Sequence, residues 1–344
     1  MTISVAIAVH NEEQNIIPCL ESVYDWVDEI VIVDGTSTDN TIRVIKDFEK
    51  KMGADANFEA SLGIPRDDQT SSKTKARSHE GGLPLELQNS ASSPRQSKIK
   101  LIETSNPPMF HINKQKAIET CTKDWILQLD ADEVVSTELK KDIQFVIARS
   151  EATKQSPIAY WLPRLNYFLG KPLRKGGQYP DYTIRLYKNG VAKFPCKTVH
   201  EQVEVRRTET SNEVEELDNN NATGGPTGGG PRQRADTRAL AGTREGQAPL
   251  HLGYLNSPLL HFPYPTFQEY LNKWHRYNTL EATKLKENGI KPSIGLFIDY
   301  FFLKPAVWFF KTYFRHKGFM DGVPGFIFSF FSALRYCEIY LKLI

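Results

Sequence analysis

The sequence predicts an α/β fold: a mostly parallel central sheet flanked by helices, with an aromatic-rich helical extension at the C-terminal end. Three observations carry this. Residues 3–9 (ISVAIAV), 29–34 (EIVIVD) and 125–130 (WILQLD) are short apolar runs, the first two rich in β-branched side chains. Such runs suit strands buried on both faces of a parallel sheet. Stretches with apolar residues at helical spacing separate them, and strands alternating with helices are the sequence form of that sheet. Beyond Ile294, Phe, Tyr and Trp are dense and are broken by scattered Lys and Arg.

In chain order, ISVAIAV leads into the polar loop HNEEQN. Ile16, Ile17, Leu20 and Val23 then recur at helical spacing, with Asn15 as N-cap and Pro18 in the first turn, where its missing N–H costs little. EIVIVD leads into GTSTDN and a helix with Ile42, Ile45, Phe48 and Met52 on one face, which Gly53 is placed to end. KIKLIE at 98–103 is a third strand and WILQLD a fourth; AYWLP, YTIRLYK and VHEQVEV are shorter strands of the second half. Thr266 and Glu269 form a capping-box pattern ahead of the stripe Phe267, Tyr270, Leu271 and Trp274, which is read as core packing. Residues 54–97 and 207–250 lack periodicity and are rich in polar residues and Gly, so both are read as disordered insertions. The predicted division is a domain over 1–265, interrupted by these insertions, and a helical membrane-associating region over 266–344.

A formal net charge of +2 lacks the basic excess of a nucleic-acid binder. Cys19, Cys121, Cys196 and Cys337 are far apart, without zinc-finger spacing, and fit a reducing compartment. No leader pattern precedes the first strand. The uncharged piece from Gly322 to Leu334 is short of the ~20 residues a spanning helix needs. With Lys304, Lys311, Arg315, His316 and Lys317 among the aromatics, the expectation is interfacial helices on a membrane surface. The alternative is a buried hairpin or a dimer contact.

Three strands end in polar residues on what must be one edge of a parallel sheet: VAIAVHNEE, VIVDGTSTDN and LQLDADE. Ligands bind beyond the carboxyl ends of such strands. The glycine fingerprint of dinucleotide enzymes and the Walker loop are both missing, which excludes a Rossmann oxidoreductase. A carboxylate-held divalent cation is the other common way to hold a diphosphate, and Mg²⁺ or Mn²⁺ takes oxygen ligands. Asp130 and Asp132 supply them, converging if the strand stays extended through both. Glu133 is expected to cap a helix beginning at Ser136.

The series AIAVHNEEQNI, EIVIVDGTSTDNT and WILQLDADE resembles family-2 glycosyltransferases, inverting enzymes of the GT-A nucleotide-diphospho-sugar transferase fold. YWLPRLNYFLGKPLRKGGQYPDYTIRLYKNG, VHEQVEV and LLHFPYPTFQEYLNKWHRYNT resemble the branch typified by lipopolysaccharide-core β-1,4-glucosyltransferases. The likeness spans residues 1–53, 98–148, 158–206 and 251–344. It implies that the backbone from Ala8 to His10, with Glu12, lines the base and ribose, and that Asp34 sits near the uracil or ribose. It implies that Asn113, Lys114 and Gln115 approach the nucleotide. Asp130 contacts the ribose or sugar and, with Asp132, the metal. For the base that deprotonates the acceptor, Glu201 is favoured, with Asp181 orienting acceptor or sugar; for each, a salt bridge with Arg164 or Arg185 is the competing role. His200 is a metal ligand or a structural histidine. The implied reaction moves a hexose, glucose from UDP-glucose foremost, to a glycan or glycolipid in cell-envelope synthesis, at the cytoplasmic membrane face. The alternatives are transfer to polyprenyl phosphate and a catalytically inactive nucleotide-sugar or glycan-binding membrane protein.

Overall fold

The computed structural model of the protein describes residues 1–61, 97–152, 156–196, 202–206 and 252–344. The first half alternates as predicted: β1 (Ile3–Val9), α1 (Ile16–Val23), β2 (Glu29–Asp34), α2 (Thr41–Ser61), β3 (Ile99–Glu103), α3 (His111–Thr120) and β4 (Trp125–Asp130). β5 (Glu133–Val135), α4 (Thr137–Ala152), β6 (Ala159–Phe168), β7 (Lys171–Pro172) and β8 (Asp181–Lys188) follow. The remaining strands are short: β9 (Ala192–Lys193), β10 (Glu204–Val205), β11 (Leu252–Tyr254) and β12 (Leu259–His261).

The main sheet runs β3-β2-β1-β4-β8-β6-β12-β5. Its first four strands are parallel, and β8 pairs antiparallel with both β4 and β6. Alternation along the parallel strands fills two cores. Val5, Ile7, Ile30, Ile32, Leu127 and Leu129 pack with Ile16 and Leu20 of α1 and with Leu139 and Ile143 of α4. Their neighbours Ala6, Val31, Val33 and Ile126 pack on the other face with Ala117 and Ile118 of α3. Successive side chains point to opposite faces, and both faces are covered, so the strands are predominantly apolar. Burying each Ile or Leu contributes about 1.5–3 kcal/mol.

Ala8 stands beside Asp130 and Val9 beside Asp34 in the register. The three polar strand ends therefore share one edge, as the sequence predicts. β5 is the other structural element of the site. It begins three residues after β4 ends, yet it pairs with β12 at the far end of the strand order. The sheet thus curls back toward the turn that carries Asp132.

Four local expectations are corrected. Gly53 does not end α2, which continues to Ser61. One glycine costs a helix about 1 kcal/mol, a cost the packing of Ile45 and Phe48 into the core outweighs. Asn15 occupies the N-cap position of α1 without capping it; its amide donates instead to Glu12 Oε2 at 2.8 Å. Glu133 is not a helix cap. Ser136 is, its Oγ accepting the N–H of Leu139 at 3.2 Å, while Glu133 is a fully buried strand residue. Of the described part of VHEQVEV, residues 202–205, the strand is Glu204–Val205; residues 199–201 lie outside the described residues.

α5 (Phe267–Glu287) starts at Thr266, whose hydroxyl accepts the N–H of Glu269 at 3.2 Å. Its stripe is core, as read: Phe267, Tyr270, Leu271 and Trp274 pack with Phe168, Leu173 and Phe331. A helical hairpin completes the chain. The first arm contains α6 (Ile294–Ile298) and α7 (Lys304–Phe309), each followed by a π-helical stretch, the last ending at Arg315. A 3₁₀ turn, Gly318–Asp321, leads into α8 (Gly322–Leu343). The arms meet closely at the bend, where a Cβ on Gly325 would run into the carbonyl of Gly318. Phe302, Leu303, Val307, Phe310, Phe314, Met320 and Val323 are each at least half exposed. No described helix is long and apolar enough to cross a membrane.

Candidate active site

The loops after β1 and β2 are laced together. Asn11 Oδ1 accepts the N–H of Thr38 at 2.8 Å, and the Asn11 N–H reaches Ser37 Oγ at 2.9 Å. Asn11 and Thr36 both hold left-handed backbone (φ 58° each), strain that a well-determined site sustains. His10 Nδ1 lies 2.7 Å from the carbonyl of Gly35, and the Glu12 N–H donates to Thr41 Oγ1 at 2.7 Å. Asp34 is fully buried and accepts the N–H and hydroxyl of Ser37 at 3.0 and 2.5 Å. It shapes the loop from within.

Of the trio on α3, Lys114 alone reaches the acidic turn, where it pairs with Asp130. Asn113 is buried, donates to the carbonyl of Ser105 and packs over Gly35. Gln115 accepts the N–H of Phe194 and donates to Glu119, both at 2.8 Å. These two hold the α3 face against its neighbours.

Asp130 sits in a cationic setting. Arg185, from the middle of β8, places Nη2 2.5 Å from Asp130 Oδ2 and 2.6 Å from Glu133 Oε1, and its Nη1 donates to Gln128. Glu133 also accepts the N–H of Asp130 at 2.9 Å and lies 3.6 Å from Arg164. Burial pushes the Asp130 carboxyl up, but Arg185 and Lys114 outweigh it and hold it well below the ordinary range. Arg185 is in turn raised by these carboxylates, against its own burial.

β4 stops at Asp130, and the chain turns at Ala131 and Asp132. The extended geometry expected to converge the two aspartates is therefore replaced by a turn. The carbonyl of Asp132 accepts the N–H of Phe262 at 2.8 Å, and its Oδ2 lies 3.4 Å from Nε2 of His261. Nδ1 of His261 lies 2.6 Å from Asn166 Oδ1. With Nδ1 donating to that acceptor, Nε2 is the ring nitrogen that faces the carboxylate. A carboxylate oxygen and an imidazole nitrogen face to face hold a proton or a cation between them. Burial raises the Asp132 carboxyl, but the hydrogen bond and charge of His261 leave it below its ordinary value. Glu12 is raised, first by burial and then by the negative charges of Asp132 and Asp130.

The donor set fits a divalent cation. Asp132 offers oxygen and His261 nitrogen, ligands that Mn²⁺ and Mg²⁺ accept, and a bound diphosphate would add the remaining oxygens. Asp130 meets Lys114 on one oxygen and Arg185 on the other. Among the described residues, no group of three or more His, Cys, Asp or Glu is placed to hold a metal ion, so a cation at this pair would take most of its ligands from the diphosphate and water. His261 escapes the sequence reading because a lone histidine in LLHFPYP has no spacing partner; its proximity to Asp132 is made by the β5–β12 pairing.

Asp181, at the start of β8, pairs with Arg164, whose Nη2 and Nε lie 2.7 and 3.0 Å from Oδ2. The competing role weighed for it is present in the structure. Glu201 and His200 lie outside the described residues.

The common strand edge thus gathers acidic, cationic and imidazole groups where open α/β sheets bind their ligands. Residues 4–59, from β1 into α2, match the family described as Glycosyl transferase family 2. An uncharacterized glycosyltransferase of Rickettsia typhi is 22% identical over 345 residues, covering 98% of this chain and 86% of that protein. The lipopolysaccharide core biosynthesis glycosyltransferase LpsC of Rhizobium meliloti is 23% identical over 230 residues, 64% of this chain and 67% of its own. Among solved structures, S. aureus TarS 1–349 in complex with UDP-GlcNAc aligns with a TM-score of 0.40 and 13% identity, over 100% of this chain and 88% of that one. The match over residues 4–59 and these relatives make the chain similar to family-2 glycosyltransferases.

Proposed function

We propose that the protein is an inverting, divalent-cation-dependent hexosyltransferase. It moves glucose or a related hexose from a UDP-sugar to a glycan or glycolipid of the cell envelope. The observation that carries this is the facing pair Asp132 Oδ2 and His261 Nε2, 3.4 Å apart beside the neutralised Asp130. When bound there, the cation supplies positive charge for the departing diphosphate.

The chain's own residues do the rest. The loop-lacing groups at His10, Asn11 and Ser37 fix the edge against which the base and ribose rest, with Glu12 beside it. Lys114 and Arg185 hold Asp130 ionised, so it accepts hydrogen bonds from donor hydroxyls. Arg164 fixes Asp181 toward the acceptor side. Glu201 takes the proton of the acceptor hydroxyl as oxygen bonds to the anomeric carbon and the carbon–diphosphate bond breaks. The name of the LpsC relative supports an envelope acceptor. The exposed apolar hairpin supports a peripheral position on the inner membrane face.

Thermal-shift titration of UDP-sugars with and without Mn²⁺ tests the reading, because a ligand of the folded state raises apparent stability. A UDP-hexose that stabilises the protein only with the cation is the expected result. Equal stabilisation in EDTA would overturn the metal role.

A further inference from the structure

A second polar site lies where the helical hairpin meets the loop between β7 and β8. A cavity of about 160 Å³ is lined there by Gly176, Gly177 and Gln178 of the loop, Trp308, Lys311 and His316 of the first arm, and Arg335 of α8. This is well short of the roughly 300–1,000 Å³ of a pocket that takes a whole small molecule. It suits one functional group rather than a nucleotide sugar.

Its charge is one-sided. Lys311 and Arg335 both lie over the ring of Trp308, at 4.8 and 5.1 Å from its centroid. No carboxylate of the described residues lines the cavity. Neighbouring cations of the hairpin are neutralised: Lys304 by Asp299 at 2.9 Å and Lys342 by Glu338 at 3.2 Å. Two buried nitrogens, Nε of Arg335 and Nε2 of His316, have no hydrogen-bond partner among the described residues. Buried polar atoms are ordinarily satisfied, so the Arg335 Nε–H left over beside Lys311 points to an anion.

The walls are built for close approach. Gly176 and Gly177 have φ of 65° and 77°, and the Gly176 N–H donates to the carbonyl of His316 at 2.9 Å. The carboxylate of Asp321 accepts the N–H groups of Arg174 and Lys175 at 3.2 and 2.8 Å. It therefore ties the loop to the hairpin and leaves the cavity cations unneutralised. The same loop runs into Asp181, the first residue of β8.

We propose that this cavity binds a phosphate-class anion through Lys311, Arg335 and His316. On the hexosyltransferase reading above, on which this part rests, the anion is a phosphate group carried by the acceptor. The cavity's place between the exposed apolar hairpin and the Asp181 loop puts such a group between membrane and transfer site.

The test uses the full-length protein and inorganic phosphate as the first probe. Wild type is expected to bind phosphate, with about tenfold weaker binding in Lys311→Gln and in Arg335→Gln, as loss of one charge-assisted hydrogen bond implies. UDP affinity in the presence of Mn²⁺ stays unchanged in both. Lys311→Gln is the variant to rely on if Arg335→Gln loses thermal stability, since Arg335 also stacks on Tyr336. A second arm compares vesicles of phosphatidic acid with vesicles of phosphatidylcholine. Preference for phosphatidic acid that the variants lose assigns the group to a lipid headgroup; weakened phosphate binding with unchanged vesicle preference assigns it to a soluble phosphorylated glycan. Both support the site. Wild type that binds neither probe, or variants that bind phosphate as wild type does, overturns it. Failure of wild type to bind any UDP-sugar would sink the transferase reading and leave the phosphate result standing.

Discussion

One nitrogen of Arg185, Nη2, lies 2.5 Å from Asp130 and 2.6 Å from Glu133. The guanidinium thereby joins the last residue of β4 to the first of β5. All three residues are largely removed from solvent, so each charge depends on the others for its solvation. Arg185→Ala leaves two buried carboxylates facing each other, and removing one partner of a buried ion pair costs about 3–5 kcal/mol. Urea denaturation should show a midpoint lowered accordingly. A midpoint within error of wild type would mean that Lys114 and Arg164 suffice.

Asp132→Asn keeps the shape of the side chain and removes its charge. The expected outcome is loss of sugar transfer with thermal stability close to wild type. Residual transfer near the wild-type rate would deny Asp132 its role.

Asn166→Ala removes the group that holds Nδ1 of His261. Losing the outer partner of a ligating histidine typically weakens metal binding about 10–100-fold. Mn²⁺ titration of UDP binding measures it, and an unchanged Mn²⁺ dependence would exclude His261 as a ligand.

Glu12 gives a pH prediction. Burial, with Asp132 and Asp130 adding to it, raises its carboxyl above the ordinary 4.5. The folded state thus binds this proton more tightly than the unfolded chain does. Stability is lost as pH rises from 4.5 through the folded value and stays lost above it. Glu12→Gln should therefore melt higher than wild type at neutral pH and no higher in acid. A lower melting temperature at neutral pH would refute this balance.

Replacing Phe310 and Phe314 by Ser removes two exposed aromatic rings from the hairpin. If these rings enter a bilayer interface, vesicle co-sedimentation falls by about tenfold per ring, while UDP binding is unchanged. Equal sedimentation would move the apolar face from membrane contact to contact between protein copies.

The parallel half was legible in the sequence because two-sided burial makes ISVAIAV, EIVIVD and WILQLD predominantly apolar, Ser4 and Gln128 being buried polar residues within them. The common edge followed from parallel pairing alone. The function of Glu133 was not legible, because its partners Arg185 and Arg164 come from strands whose pairing the residues around Glu133 do not encode. His261 was hidden for the same reason: 129 positions separate it from Asp132, and only the β5–β12 ladder closes the gap. Gly53 misled because a local helix-stop preference of about 1 kcal/mol yields to tertiary packing. The hairpin was foreseen as helical and amphipathic, but the cationic cavity at its base needed the loop at Gly176 folded against it.

The pairing of β5 with β12 also sets an order of events. The parallel strands through β4 can assemble as soon as residue 130 is available, since their partners all lie upstream. The turn that carries Asp132 is different, for its carbonyl waits on the N–H of Phe262 and its carboxylate on His261. Synthesis runs from the N-terminal end, so the residues of the parallel strand edge are available before the partners of Asp132 are. A nascent chain cut short before β12 would hold the parallel strands and lack the Asp132–His261 pair.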